Sequence, residues 1–218
     1  EEVNGERALQ WARDESQRAV ATLSADPRFA PMQERALDAM QANDRIPYVA
    51  MRNGGGLYNF WQDQTNVRGV LRRTTMASYR TDAPQWETVL DIDELARTEN
   101  ANWVYQGSDC LPPEERYCLV SLSNGGRDAN VVREYDIVER RFVEGGFHLT
   151  EAKQSVSWID RDTLLVARDW GPGTLTSSGY PFILKRLRRG QSIDQAEEVF
   201  RGTTEDIGTF GFVLRDND

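Results

Sequence analysis

The side chains able to do chemistry in this 218-residue chain are few and scattered. Its single histidine, His148, stands between Phe147 and Leu149. Acyl transfer would need that imidazole within hydrogen-bond reach of a nucleophile and an orienting carboxylate. The densest run of hydroxyls is Gly173-Thr174-Leu175-Thr176-Ser177-Ser178-Gly179. It lacks the Gly-x-Ser-x-Gly spacing that sets a serine on a strained strand-to-helix turn. No base accompanies it, so a polar turn is expected there, and His148 is expected to be structural or solvated. Cys110 and Cys118 flank Pro112-Pro113 with no histidine near them in sequence, which is not a zinc spacing. Asp91-Ile92-Asp93-Glu94 opens like a calcium loop but lacks the glycine at its sixth position and the distal glutamate. Asn53-Gly54-Gly55-Gly56 falls between expected strands, so it reads as a hairpin turn and not a phosphate cradle. Neither a metal nor a cofactor is expected.

Composition narrows the partners. There are 35 acidic and 26 basic residues, a net charge of −9, which argues against a general phosphate-binding surface and against nucleic acid. The basic spots Arg140-Arg141 and Arg186, Arg188 and Arg189 are expected to be solvated faces. No apolar run approaches the roughly 20 residues that span a bilayer, so no membrane helix is expected. The start shows no charged, apolar and small-residue leader pattern. A cytoplasmic protein with Cys110 and Cys118 as free thiols is therefore expected, although a hairpin around Pro112-Pro113 could bring the two together.

Two textures divide the chain. Over residues 1–45, Ala8, Trp11, Ala12, Ala19 and Leu23 recur at helical spacing, as do Phe29, Met32, Ala36, Ala39 and Met40. Asp26-Pro27 reads as a helix cap, and Asn43-Asp44 with Pro47 as a stop. Two such helices cannot bury both apolar stripes against each other. They need a partner surface, either the following domain or a domain outside this chain. From Ile46 to Asp218, short alternating runs of β-formers are separated by Gly, Asp, Asn and Pro clusters.

The strands group into antiparallel sets. The first is Tyr48–Arg52, Leu57–Gln62, Gly69–Thr75 and Glu87–Leu90. The second is Trp103–Gly107, Tyr117–Ser123, Val131–Ile137 and Arg141–Phe147. The third is Ser155–Ile159, Thr163–Arg168, Phe182–Leu187 and Glu197–Phe200, and Ile207–Leu214 looks like the opening of a fourth. Each set is close to a propeller blade in length, so the fold class is mainly β, an incomplete β-propeller behind two helices. About three and a half blades of roughly 48 residues fall short of the four to eight of a closed ring. An open stack exposes a blade face, and self-association of the chain is expected. The tryptophans Trp61, Trp86, Trp103, Trp158 and Trp170 could stack on sugars, but in blade strands they are expected to pack between sheets.

Several segments carry a family resemblance. Leu57–Asp63 with Arg68–Thr75 resembles the first blade of bacterial prolyl oligopeptidase family proteins. Trp86–Leu95 resembles their Trp-x-x-x-Leu-Asp-x-x-x-Leu segment, and Ser123-Asn124-Gly125-Gly126-Arg127-Asp128 their Ser-x-x-Gly-x-Asp turn, followed by a strand ending in Tyr135-Asp136. The resemblance covers residues 6–214. It implies a serine peptidase in which a seven-bladed propeller filters short peptides for an α/β-hydrolase domain that cleaves after proline. The serine, aspartate and histidine of that domain are absent here, so no catalytic residue is expected and this chain should be inactive alone. Its partners would be the protein's own hydrolase domain and, through the full-length enzyme, oligopeptide substrate. The resemblance also sets the lead-in to the third blade near the domain cleft. Glu151 and Lys153 are then the candidates for contact with peptide or hydrolase domain, against a plain surface ion pair. The competing reading is a stand-alone propeller-type interaction module; a sugar-binding β module is a third.

Overall fold

Helical spacing gives way to strand alternation at one point in the chain, and the structure divides there too. The computed structural model describes residues 5–42, 44–52 and 54–215. Asn43 and Asn53, read above as part of a helix stop and of a turn, lie outside them. One unit reaches to Ile46 and a second starts at Pro47. In the first, α1 spans Glu6–Ser24 and α2 spans Phe29–Gln41. Their apolar residues Trp11, Val20, Leu23, Met32 and Met40 remain exposed, Trp11 at 67%. The expected Asp26 cap does not form. Helix α2 starts with Arg28 in the cap position, and the Asp26 carboxylate accepts from the Arg28 N–H at 2.9 Å and from the Arg28 guanidinium.

The second unit is built from three sheets in chain order. The first contains β1 (Ala50–Met51), β2 (Gly56–Trp61), β3 (Val70–Thr75) and β4 (Glu87–Asp91). The second contains β5 (Trp103–Cys110), β6 (Tyr117–Asn124), β7 (Asn130–Asp136), β8 (Arg141–Phe142) and β9 (His148–Ala152). The third contains β10 (Gln154–Asp160), β11 (Thr163–Arg168), β12 (Ile183–Arg188) and β13 (Glu197–Arg201). All neighbours pair antiparallel. Ile207–Leu214, expected to open a fourth set, contains no strand. Two short helices were not expected, α3 (Met76–Tyr79) and α4 (Ile92–Glu99). The calcium-like run explains the second: Asp91 accepts from the Glu94 N–H at 2.9 Å and caps α4, which ends at Asn100 in the left-handed region.

Strand alternation makes the middle sheet the centre of the core. On β6, Val120 and Leu122 face the first sheet and pack with Tyr58, Leu71, Leu90 and Ile92, whereas Leu119 faces the third. Across that second seam Val132, Phe147, Leu149, Trp158, Leu164, Val166 and Leu187 close together. A strand buried on both faces reads as nearly continuous apolar sequence, as Tyr117–Leu122 does. Polar ties span both seams. The Tyr135 hydroxyl donates to the Val89 carbonyl at 2.6 Å, and burial pushes its pKa up to about 12. Trp158 Nε1 donates to the Asp109 carbonyl at 3.0 Å.

Cys110 and Cys118 correct the free-thiol expectation. The β5–β6 register sets them directly opposite each other, and they form a disulfide with Cα atoms 3.9 Å apart.

The outer strand of the second sheet, expected as one run from Arg141 to Phe147, stops at Phe142 as β8, and an unexpected strand, β9, begins at His148 beyond a detour around a buried carboxylate. Glu134 follows Val132 by two residues on β7, so its side chain points at the third sheet. It is fully buried and meets Arg161 Nη1 at 2.5 Å and Arg189 Nη1 at 2.8 Å. The Phe147 N–H also donates to it at 2.9 Å. Residues 143–147 detour around this group. A Cβ on Gly146 would lie 2.9 Å from Glu134 Oε2 and 2.8 Å from the Val143 side chain, so only glycine fits.

At the far end of β7, Asp136 accepts from the N–H groups of Val138 and Glu139 and from Arg116. Burial alone would raise its pKa, but these donors outweigh burial and hold the carboxyl below the ordinary range. A depressed folded pKa contributes stability that is present above the unfolded value, near 3.9, and is lost as pH falls through the folded value. Urea midpoints measured from pH 6 downward should therefore fall less steeply for Asp136→Asn than for the wild type. Parallel curves would show that Asp136 does not drive the acid response.

Candidate functional site

The junction between the second and third sheets brings the two flagged residues onto one charged strip. Glu151 lies in β9, and Lys153 is the single residue between β9 and β10. The strip's other wall is the β6–β7 turn, in which Gly125 and Gly126 adopt positive φ, 81° and 76°. That turn is pinned from inside. The Arg127 carbonyl accepts from Ser123 Oγ at 2.7 Å and from Gln106 Nε2 at 2.9 Å, while Arg127 Nε donates to the Asn124 carbonyl at 3.0 Å. The Ser-x-x-Gly-x-Asp pattern is thus a turn whose serine buttresses the backbone and whose Arg127 and Asp128 face outward.

Both candidates pair with that turn. Arg127 Nη2 stands 2.9 Å from Glu151 Oε1, and Lys153 Nζ stands 3.8 Å from Asp128 Oδ2. The family resemblance singles out Glu151 and Lys153 but not their mutual arrangement with the turn. It also missed Tyr180, whose ring centroid lies 4.6 Å from Lys153 Nζ. Tyr180 follows Gly179 in the long β11–β12 connection, and only the folded course of that loop carries it to Lys153. The backbone is fixed here as well, since the Asp169 N–H donates to the Lys153 carbonyl at 3.0 Å. These exposed ion pairs are individually worth about 0–1 kcal/mol, so they can exchange for a ligand's charges at little cost. The strip can recognise charged or aromatic groups.

The hydroxyls of Thr174, Thr176 and Ser178 engage one another or nearby carbonyls. Thr174 Oγ1 donates to the Gly171 carbonyl at 2.6 Å, the Thr176 and Ser178 hydroxyls bond each other at 2.9 Å, and Ser178 donates to Ile207. His148 is exposed at the start of β9. The tryptophans of the second unit are occupied by neighbouring groups. Trp158 is 2% exposed, and the Arg72 guanidinium lies 4.2 Å from the rings of both Trp61 and Trp86. Lys185 covers Trp170 at 4.4 Å. Among the described residues no helix is long and apolar enough to cross a membrane.

Comparison with known proteins agrees with this architecture. Residues 1–218 match the prolyl oligopeptidase N-terminal β-propeller domain. An uncharacterized peptidase, y4nA, of Sinorhizobium fredii is 49% identical over 217 residues, spanning 100% of this chain and 30% of the relative. An uncharacterized peptidase, RP174, of Rickettsia prowazekii is 32% identical over 216 residues, 95% of this chain and 30% of the relative. The chain therefore spans about a third of the length of the curated relatives it matches. The solved post-proline cleaving enzyme of Rickettsia typhi superposes with a TM-score of 0.84 at 31% identity, covering 95% of this chain and 31% of that one. Oligopeptidase B of Leishmania major shares the fold, with a TM-score of 0.63 at 12% identity over 91% of this chain and 26% of its own.

Proposed function

The chain belongs to the prolyl oligopeptidase family, and on that premise we propose that it is the propeller part of a serine peptidase hydrolysing short peptides after proline. Its role is to filter access to an α/β-hydrolase domain elsewhere in the full-length protein. The observation that carries this reading is the match of all 218 residues to the family's propeller domain, together with three antiparallel sheets stacked in chain order. On this reading the sheets are three of seven blades, with Ile207–Leu214 leading into the next. Residues 1–45 are the segment that docks on the hydrolase domain, through the apolar side chains that α1 and α2 leave exposed. Glu151 and Lys153 contact peptide or hydrolase domain, with Arg127, Asp128 and Tyr180 beside them.

Cleavage of a Gly-Pro chromogenic peptide tests the proposal. The complete polypeptide of the reading frame should cleave it and be stopped by a serine-directed inhibitor, and the 218-residue chain should not. Inhibitor-sensitive cleavage by this chain alone would overturn the division of labour. A complete polypeptide without proline-dependent cleavage would favour the stand-alone interaction module instead. In the complete enzyme, Lys153→Glu should raise KM for longer peptides roughly fivefold, about 1 kcal/mol, with kcat on a dipeptide substrate unchanged. An unchanged KM across substrate lengths would remove Lys153 from the passage.

A further inference from the structure

Beside the seam of the second and third sheets lies a cavity of about 350 Å³ containing a buried cation whose hydrogen bonds are incomplete. Arg168, the last residue of β11, is 8% exposed. Its Nε donates to the Asp169 carbonyl at 3.2 Å and its Nη2 to Thr150 Oγ1 at 3.4 Å, whereas Nη1 is buried without a hydrogen-bond partner. Neighbouring carboxylates do not complete it. Asp169 Oδ1 is engaged by the Gly171 N–H at 2.9 Å and the Thr174 hydroxyl at 3.4 Å, and Asp194 is exposed on the turn before β13. Burial outweighs the attraction of both carboxylates and lowers the guanidinium pKa, the mark of a cation short of negative charge. The other walls are apolar at Phe147, Leu149, Leu187 and Ile193 and polar at His148, Gln191 and Ser192.

An unpaired buried donor costs free energy that a ligand can recover, and a cleft with both apolar and polar walls and one convergent charge suits an amphipathic anion. We propose that this cavity binds the carboxylate of a small apolar acid, with Arg168 Nη1 as its charged donor and the Thr150 hydroxyl beside it. The acid is either the C-terminal residue of a peptide or a free aliphatic acid. The proposal uses residues apart from the Glu151–Lys153 strip, and its test needs no peptidase activity.

Calorimetric titration of the 218-residue chain with N-acetylleucine, N-acetylleucinamide and 4-methylpentanoate tests it. Saturable millimolar binding of N-acetylleucine is expected, at least tenfold tighter than the uncharged amide, because the charge is what Arg168 recognises. Comparable binding of 4-methylpentanoate would assign the site to free acids, and binding of N-acetylleucine alone to peptide termini. Arg168→Met should abolish the difference between acid and amide, while Lys153→Glu should leave it intact. Ile193→Trp, which fills the cavity from its wall and keeps the guanidinium, should block binding even if Arg168→Met does not fold. Equal binding of acid and amide, unaltered binding in Ile193→Trp, or no saturation by either acid would overturn the proposal.

Discussion

Glu134→Ala is expected to cost the folded chain about 3–5 kcal/mol, since it leaves Arg161 at a buried seam without its counter-charge and Arg189 with only the exposed Asp162. Arg161 and Arg189 both contact the Glu134 carboxylate, and each guanidinium also lies over an aromatic ring, Arg161 over Tyr117 at 3.8 Å and Arg189 over Phe147 at 4.4 Å. Removing the carboxylate also frees the Phe147 N–H that shapes the detour between β8 and β9. Thermal unfolding should then shift downward by on the order of 10 °C. The pair is not itself a large source of stability, because desolvating the charges offsets most of their attraction. Replacing Glu134, Arg161 and Arg189 together by apolar residues of similar volume should therefore recover much of the loss. A Glu134→Ala variant with an unchanged urea midpoint would mean that water satisfies both arginines and that the seam is open.

Why this group escaped the sequence reading is instructive. Arg133-Glu134-Tyr135-Asp136 alternates like a strand with an exposed acidic face, and Arg189 lies 55 residues away. Nothing local distinguishes a glutamate that meets two arginines across a seam from one that meets water. The strands themselves were legible because alternation and turn residues are local signals. Expected Leu57–Gln62, Gly69–Thr75 and Thr163–Arg168 differ from β2, β3 and β11 by no more than a residue at either end. Helix α4 is hidden in the sequence because the acidic run that supplies its cap, Asp91, also begins like a cation loop. The candidate strip was legible in halves. Glu151 and Lys153 on one side and the Ser123–Asp128 turn on the other were both recognised, but their pairing depends on where β6, β7 and β9 end. Arg168 carried no signal at all, for an arginine closing an apolar strand ordinarily reaches solvent.

The second large effect is expected at Trp158, the tryptophan that alternation placed between sheets. Its ring is 2% exposed, meets Phe147 edge to face at a centroid separation of 5.7 Å, and packs in the cluster with Leu119, Leu164 and Val166. Truncation to alanine should cost about 3–5 kcal/mol, because the sheets on either side can collapse only partly into the space left. Trp158→Phe separates the two contributions. It keeps an aromatic ring in the seam but removes the donor that reaches the Asp109 carbonyl on β5. Its cost should be about 1–3 kcal/mol, that of a buried acceptor left without its bond plus the lost ring volume. Equilibrium urea unfolding of both variants measures this, and unequal m-values would flag a change in the unfolded or native ensemble rather than in the contact. If Trp158→Phe lost as much as Trp158→Ala, the hydrogen bond to Asp109 would be the dominant tie between the edge strands β5 and β10, and packing the lesser one. If neither lost more than about 1 kcal/mol, the second and third sheets would not share a core, and the stacked-blade architecture itself would be wrong.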